Sequence, residues 1–315
     1  MYELAYLVLG ILGLLLGTEL VIRSSLDIAE HYKISHVFMG LTIIAIGTDL
    51  PELVVNITGA LYRLAGTETS GLIIGQTIGT TISQIALILG IIGLASLSMR
   101  PSLTKRELRR DGMMMLGSVV LLFLVGLDGI ITTQEGLMLV IIYLLYFSTL
   151  FREERVYEKV KRAPRMHIRW ALVSLITGFI VLIYSSDFVV SNAVSLAVSL
   201  GVAQSLIGAL VLGVGTSLPE LSISLGAIRK KAVGLSVGNL IGSNTYDILF
   251  TLGISSAISG FIVNENLLRF DIPFLFLVSV LALFFFKTKM KISRKEAAAL
   301  IGVYAIYVAL KIAGF

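Results

Sequence analysis

The 315-residue chain has no cysteine, so disulfide frameworks, zinc knuckles, iron–sulfur clusters and thiol nucleophiles are excluded. Histidine is almost as scarce. The three present, His31, His36 and His167, each sit beside charged or loop-like sequence, which leaves little for imidazole metal chemistry. Charged residues make up only 14% of the chain, against about a quarter in an average soluble protein. Proline occurs five times and tryptophan once. What fills the chain instead is hydrocarbon: 56% of the residues are apolar and the mean hydropathy is +0.94. A soluble globular enzyme of this size has no core large enough to hide that much apolar side chain, so the solvent is largely lipid.

An α-helix needs about 20 apolar residues to cross the hydrocarbon core. Ten runs fit, at approximately 3–22, 37–61, 70–97, 113–128, 134–151, 169–187, 201–227, 233–262, 270–286 and 297–314. The first run carries Glu3 and Glu19 and lacks a small-residue cleavage site, so it reads as a retained helix and not a signal peptide. If the spans alternate, one face receives 23–36, 98–112, 152–168, 229–232 and 287–296. Together with Arg169 these hold 22 of the 25 Lys and Arg residues; the other face has only Arg63, Arg269 and Lys311. That asymmetry makes the basic face cytoplasmic and places both termini outside. It also accounts for the net charge of +5. Clusters such as Lys105, Arg106, Arg109 and Arg110, or Lys159, Lys161, Arg162 and Arg165, then serve topology and lipid head groups, and no nucleic-acid partner is expected. The predicted architecture is an all-α, multi-pass protein of the cell membrane. Residues 1–151 form a first five-helix repeat, 152–168 a cytoplasmic basic linker, and 169–315 a second five-helix repeat. A monomer is the expected unit.

The repeat is visible in the sequence. A shift of 168 superimposes "AIGTDLPELVV" (45–55) on "GVGTSLPELSI" (213–223), with six of seven positions identical from Gly47 and Gly215 onward. A second pair, "IGQTIGTTISQIALILG" (74–90) and "VGNLIGSNTYDILFTLG" (237–253), aligns at an offset of 163. Five spans per half force the second half to enter the membrane upside down. Inverted repeats of this kind are common in secondary transporters, whose ion sites lie near the midplane. The repeat also aligns Glu19 with Asp187, read as hydrated positions near the outer ends of spans one and six.

Four carboxylates fall within the spans: Asp49 and Glu52 in the second, Glu220 in the seventh, Asp247 in the eighth. An Asp at a helix centre costs about 2.5–3.5 kcal/mol, and no Lys or Arg lies near any of them in sequence. They require cations or protons. Thr48 with Glu52, Thr216 with Glu220, Thr80 with Gln84 and Ser243 with Asp247 are i, i+4 pairs, so each pair shares a helix face that offers oxygen. Pro51 and Pro219 fall mid-span, where proline frees carbonyls near Ala45, Gly47, Gly213 and Gly215 to turn inward. Gly75, Gly79, Gly238 and Gly242 permit close helix approach. Oxygen-rich, carboxylate-bearing sites suit Ca²⁺ and, with fewer charges facing the ion, Na⁺.

The twin motifs Gly47–Glu52 (GTDLPE) and Gly215–Glu220 (GTSLPE), each followed by a G-[QN]-x-x-G-[ST] helix, resemble the cation/calcium antiporter superfamily, most of all its sodium/calcium exchanger branch. The resemblance covers essentially the whole chain. It implies that Glu52 and Glu220 are central Ca²⁺ ligands with Thr48 and Thr216 beside them. It further implies sodium sites drawing on the Ala45 and Gly213 carbonyls, Ser217, Thr80, Ser243 and the two glutamates. Asp247 matches a position that is acidic or amide in relatives, and spans one and six would slide past the other eight. Asp49 stands where the motif normally has Ser, and Gln84 where Asn or Asp is usual. The reading that follows is a secondary antiporter exporting Ca²⁺ against Na⁺ without a cofactor; the alternative is an H⁺/Ca²⁺ exchanger using the same carboxylates. A passive cation channel suits a tight carboxylate cage less well. An intramembrane aspartyl protease would need a GxGD motif that is missing and would leave Glu52 and Glu220 unexplained.

Overall fold

The structure is a computed structural model that describes residues 2–95, 104–154, 166–199, 217–289 and 292–313. Among these it is almost entirely helical: α1 (Tyr2–Tyr32), α2 (His36–Thr48), α3 (Leu50–Leu64), α4 (Ser70–Ala95), α5 (Lys105–Gly126), α6 (Thr133–Glu154), α7 (Ile168–Ser199), α8 (Leu218–Arg229), α9 (233–259), α10 (267–289) and α11 (Arg294–Ile312). Five helices are long and apolar enough to cross a membrane alone, and α2 with α3, bent by 48°, makes a sixth candidate. Of the other predicted spans, 113–128 and 297–314 lie on α5 and α11, which carry charge in their first turns, and 233–262 lies on α9; most of 201–227 lies outside the described residues.

The longest helices are α1 and α7, of 31 and 32 residues. The apolar run that predicts span one ends at Ile22, yet the helix continues through Arg23, Asp27 and Glu30. Hydropathy marks the hydrocarbon, not the helix end. These two helices lie against each other at glycines: a Cβ at Gly17 would stand 2.7 Å from the Leu182 amide, and one at Gly178 2.9 Å from that of Val21. Such closeness yields dispersion contact in lipid, where no hydrophobic drive between helices exists. Val21, Ile22, Leu175 and Leu182 form an apolar cluster with Met39, Ile44, Ile223 and Leu235 that is separate from the main core. The main core is built from α4, α5, α6, α9, α10 and α11. Glu19 is not at an outer helix end. It is ion-paired with Arg23 and, at 2.8 Å, with Lys230 just beyond α8, so it faces the basic end of the molecule.

Short π-helical turns interrupt the helices at Gly40–Ile44, Ser83–Ile88, Asp247–Thr251 and Leu267–Asp271. One extra residue per turn rotates the side chains that follow, and such turns recur at functional sites. Here they carry Gln84, Asp247 and Asp271. At the other end from Lys230, β1 (Ile130–Ile131) and β2 (Phe261–Ile262) pair antiparallel, with Ile130 opposite Ile262 and Ile131 opposite Phe261.

Candidate functional site

The site grows from two helix breaks of the same shape. Asp49 links α2 to α3 with φ −86° and ψ 5°, and Ser217 precedes α8 with φ −93° and ψ 12°. In each case a proline occupies the first turn of the following helix, where its missing amide leaves no intrahelical bond unmade. The first turn thereby presents Glu52 on one side and Glu220 on the other. Helix N-termini carry partial positive charge, which favours a carboxylate there.

α2 and α9 meet almost backbone to backbone. A Cβ at Gly238 would lie 2.5 Å from the Val37 carbonyl, and one at Gly242 2.7 Å from that of Leu41. Two of the four glycines predicted to allow close approach therefore do so. The Phe179 ring of α7 fills the space where Gly47 lacks a side chain, so the α1–α7 pair touches the break directly.

Asp49, Glu52 and Glu220 are fully or almost fully buried, and each offers an oxygen within 4.8 Å of those of the other two. Ca²⁺–oxygen distances of about 2.3–2.6 Å make a coordination shell about 4.6–5.2 Å across, so one ion can reach all three. None of their six oxygens has a hydrogen-bond partner among the described residues, and none enters an ion pair there. At an effective dielectric near 20, each ionised pair at this separation repels by about 3.5 kcal/mol. The arrangement suits a bare cation that displaces protons and supplies the missing countercharge.

Around this trio the predicted ligands fall into groups. Thr48 is buried and its hydroxyl donates to the Ile44 and Ala45 carbonyls at 3.1 and 3.2 Å, which leaves its oxygen lone pairs free for a cation. The Ala45 carbonyl already accepts that hydroxyl and the Asp49 amide at 3.0 Å. The carbonyl opposite the absent Pro51 amide is that of Gly47. Ser217 and Ser243 are buried, their hydroxyls without a partner among the described residues, and Thr80 is buried in α4. Asp247 is buried in the π-turn that packs on α3, with no hydrogen-bond partner among the described residues, and is not one of the three acids whose oxygens come within 4.8 Å of one another. Gln84 occupies the equivalent turn in the first half and, with Asn244, lines a cavity of about 20 Å³ among apolar side chains. Gly213 and Thr216 lie outside the described residues.

Other polar residues at the site were not singled out in the sequence. Asn56, one turn beyond Glu52, donates to the Glu52 carbonyl at 2.9 Å and meets the Thr77 and Ser255 hydroxyls. Ser224, its counterpart at the offset of 168, faces Asn239 at 3.5 Å. Asn244, next to Ser243, has a side-chain carbonyl oxygen without a partner among the described residues. The signal was available: each is polar within an apolar run, and Asn56 and Ser224 follow the two glutamates at i+4.

Comparison with known proteins identifies the family. The family model described as "Sodium/calcium exchanger protein" matches residues 2–152 and 170–313. The chain is similar to sodium/calcium exchanger MaX1 of Methanosarcina acetivorans, at 28% identity over 96% of both proteins. It is also similar to an uncharacterized membrane protein of Methanocaldococcus jannaschii, at 29% identity over 96% of both. Among solved structures it is similar to the sodium-calcium exchanger NCX_Mj soaked with Na⁺ and Ca²⁺, with a TM-score of 0.82 and 28% identity over 98% of both chains. With a family match over nearly the whole chain, this multi-pass membrane protein, a transporter and not an enzyme, belongs to the sodium/calcium exchanger family.

Proposed function

We propose that the protein is a secondary active antiporter that exports Ca²⁺ in exchange for Na⁺ by alternating access at a midplane site. The observation that carries this reading is the trio Asp49, Glu52 and Glu220: three buried carboxylates within 4.8 Å and without a cationic partner among the described residues. Thr48, Ser217, Ser243, Asp247, Thr80 and Gln84, with carbonyls of the Ala45 and Gly213 turns and Thr216, complete the ligand set in this reading. Ca²⁺ would bind between the carboxylates, and Na⁺ would compete for the same oxygens. An empty site leaves unneutralised buried charge, so the transition between inward and outward states is favourable only when the site is loaded. Competition then produces coupling and suppresses leak.

The reading includes ten spans in two inverted five-helix repeats, 1–151 and 169–315, joined by the linker 152–168. It also includes a cytoplasmic basic face, external termini and a monomeric unit. The matching backbone at Asp49 and Ser217 and the paired π-turns at Gln84 and Asp247 support the repeat.

Proton coupling is the second reading, favoured by one observation: Asp49 adds a third carboxylate where the motif otherwise has Ser, as it does at Ser217. The test is ⁴⁵Ca²⁺ uptake into Na⁺-loaded proteoliposomes, repeated with a pH gradient and no Na⁺, for wild type, Glu52→Gln and Asp49→Ser. Uptake driven by Na⁺ and abolished by Glu52→Gln supports the sodium exchanger. Uptake driven only by the pH gradient assigns protons as the coupling ion. Flux under neither gradient sinks the calcium assignment, and flux needing no counter-ion makes the protein a channel.

A further inference from the structure

Helix α5 begins with charge of the wrong sign. Helix N-termini favour acidic side chains, yet Lys105 and Arg106 open this one, followed by Arg109 and Arg110. Lys105 and Arg109 are also i, i+4 neighbours, a like-charge placement that destabilises an isolated helix. The one acid of the first turn, Glu107, is held in a capping box with Thr104.

Two of the four cations are engaged. Arg110 donates to Asp111 at 2.6 and 2.9 Å and to Glu153 at 2.7 Å, and Arg106 donates to Glu153 at 3.1 Å. Lys105 and Arg109 form no ion pair among the described residues. Together with Met113, these four line an open groove of about 550 Å³. Met113 is 63% exposed and sits one turn below Arg109. The stripe continues through Gly117, where a Cβ would meet no described atom within 4 Å, to Val120 and Leu124, both exposed. The groove thus has a cationic head and an apolar floor that runs on into the lipid-facing surface.

We propose that this groove binds an anionic phospholipid, its phosphodiester between Lys105 and Arg109 and its acyl chain along Met113 toward Leu124. A free phosphate would use the cations but gains nothing from the exposed apolar stripe, whereas a lipid satisfies both. Basic pockets at helix ends on the membrane surface bind such head groups through the same charge complementarity.

The test is native mass spectrometry of the full chain in neutral detergent, titrated with phosphatidylglycerol, phosphatidylcholine or glycerol 3-phosphate. Phosphatidylglycerol is expected to be retained in preference to the other two. Lys105→Gln with Arg109→Gln should weaken its binding about thirtyfold, from about 1 kcal/mol for each cation near a surface. Arg294→Gln with Lys295→Gln, the same change at the start of α11, should alter it less than about twofold, since those residues lie outside this groove. Equal losses from both double variants would reduce the effect to general surface charge and overturn the proposal. Equal binding of phosphatidylcholine, or of glycerol 3-phosphate, would overturn it as well. If the double variant does not fold, Arg109→Gln set against Arg109→Lys decides: loss in the first with retention in the second supports the site, and equal retention refutes it.

Discussion

Two sets of buried carboxylates in this molecule have opposite surroundings. Asp49, Glu52 and Glu220 face one another with no donor among the described residues. Asp111 and Asp271, just as buried, are fully served. Asp111 accepts from Arg110 and, at 3.0 Å, from the Tyr146 hydroxyl; Asp271 accepts from Tyr307 at 2.8 Å and Lys311 at 3.0 Å. The two clasps are related by sequence offsets of 160 and 161, and each ties a helix to the next one along the chain, α5 to α6 and α10 to α11. Burial of an acid is therefore not the mark of an ion site. The mark is a buried acid whose neighbours supply only more oxygen.

The contrast can be broken most directly by neutralising one acid from each set. Glu52→Gln or Glu220→Gln is expected to lower ⁴⁵Ca²⁺ flux in proteoliposomes by at least about a hundredfold, which corresponds to about 2.8 kcal/mol, since each removes a charged oxygen from the proposed ion shell. The same variants should unfold at an equal or higher temperature in chelator, because they remove repulsion. Asp111→Asn should do the reverse: it loses about 1–3 kcal/mol of stability, read by thermal or denaturant unfolding, while the folded fraction keeps its flux. A destabilised Glu52→Gln with a neutral Asp111→Asn would dissolve the distinction.

Removing the cation sharpens it further. At a hundredfold excess over its dissociation constant, Ca²⁺ should stabilise the wild type by about 2.7 kcal/mol relative to chelator. Asp111→Asn should retain that increment and Glu52→Gln should lose it. The smallest effect concerns an acid outside both sets. Glu68, in the loop before α4, is held below its ordinary carboxylate range by the hydroxyl and amide of Ser70, with Arg63 adding its charge. Its contribution is present above the unfolded-state pKa and lost as pH falls through the lower folded-state value. Because the group is largely exposed, Glu68→Gln should cost less than about 1 kcal/mol near neutral pH, with the difference vanishing in acid.

The trio was legible in the sequence because unpaired acids stand out in hydrocarbon and because the repeat marks Glu52 and Glu220 twice. The clasps were not. Arg110 and Asp111 sit at the edge of a basic loop, and Tyr146 lies 35 residues away, so only the packing of α5 on α6 brings them together. The lengths of the helices were hidden for a different reason: charged residues from Arg23 to Glu30 look like a loop but continue α1, since helix propensity is indifferent to where the bilayer ends. The π-turns have no residue signature at all. The turn at Asp247–Thr251 is visible only in the backbone, so where Asp247 stands relative to the trio could not be read from its i, i+4 spacing to Ser243.

The small β1–β2 pairing fixes two points of the chain about 130 residues apart. The Val263 amide bonds the Gly129 carbonyl at 2.8 Å, and the Ile262 amide reaches the Ser70 hydroxyl at 3.0 Å, which Arg63 also holds. Helices α3, α4, α5, α6, α9 and α10 are in this way stapled at one rim, and among the described residues none of these bonds reaches α1 or α7. The backbone bonds of the pairing hold the ends of α5, α6, α9 and α10 whatever their side chains, whereas α3 and α4 join this rim through one hydroxyl that Ser70→Ala would remove.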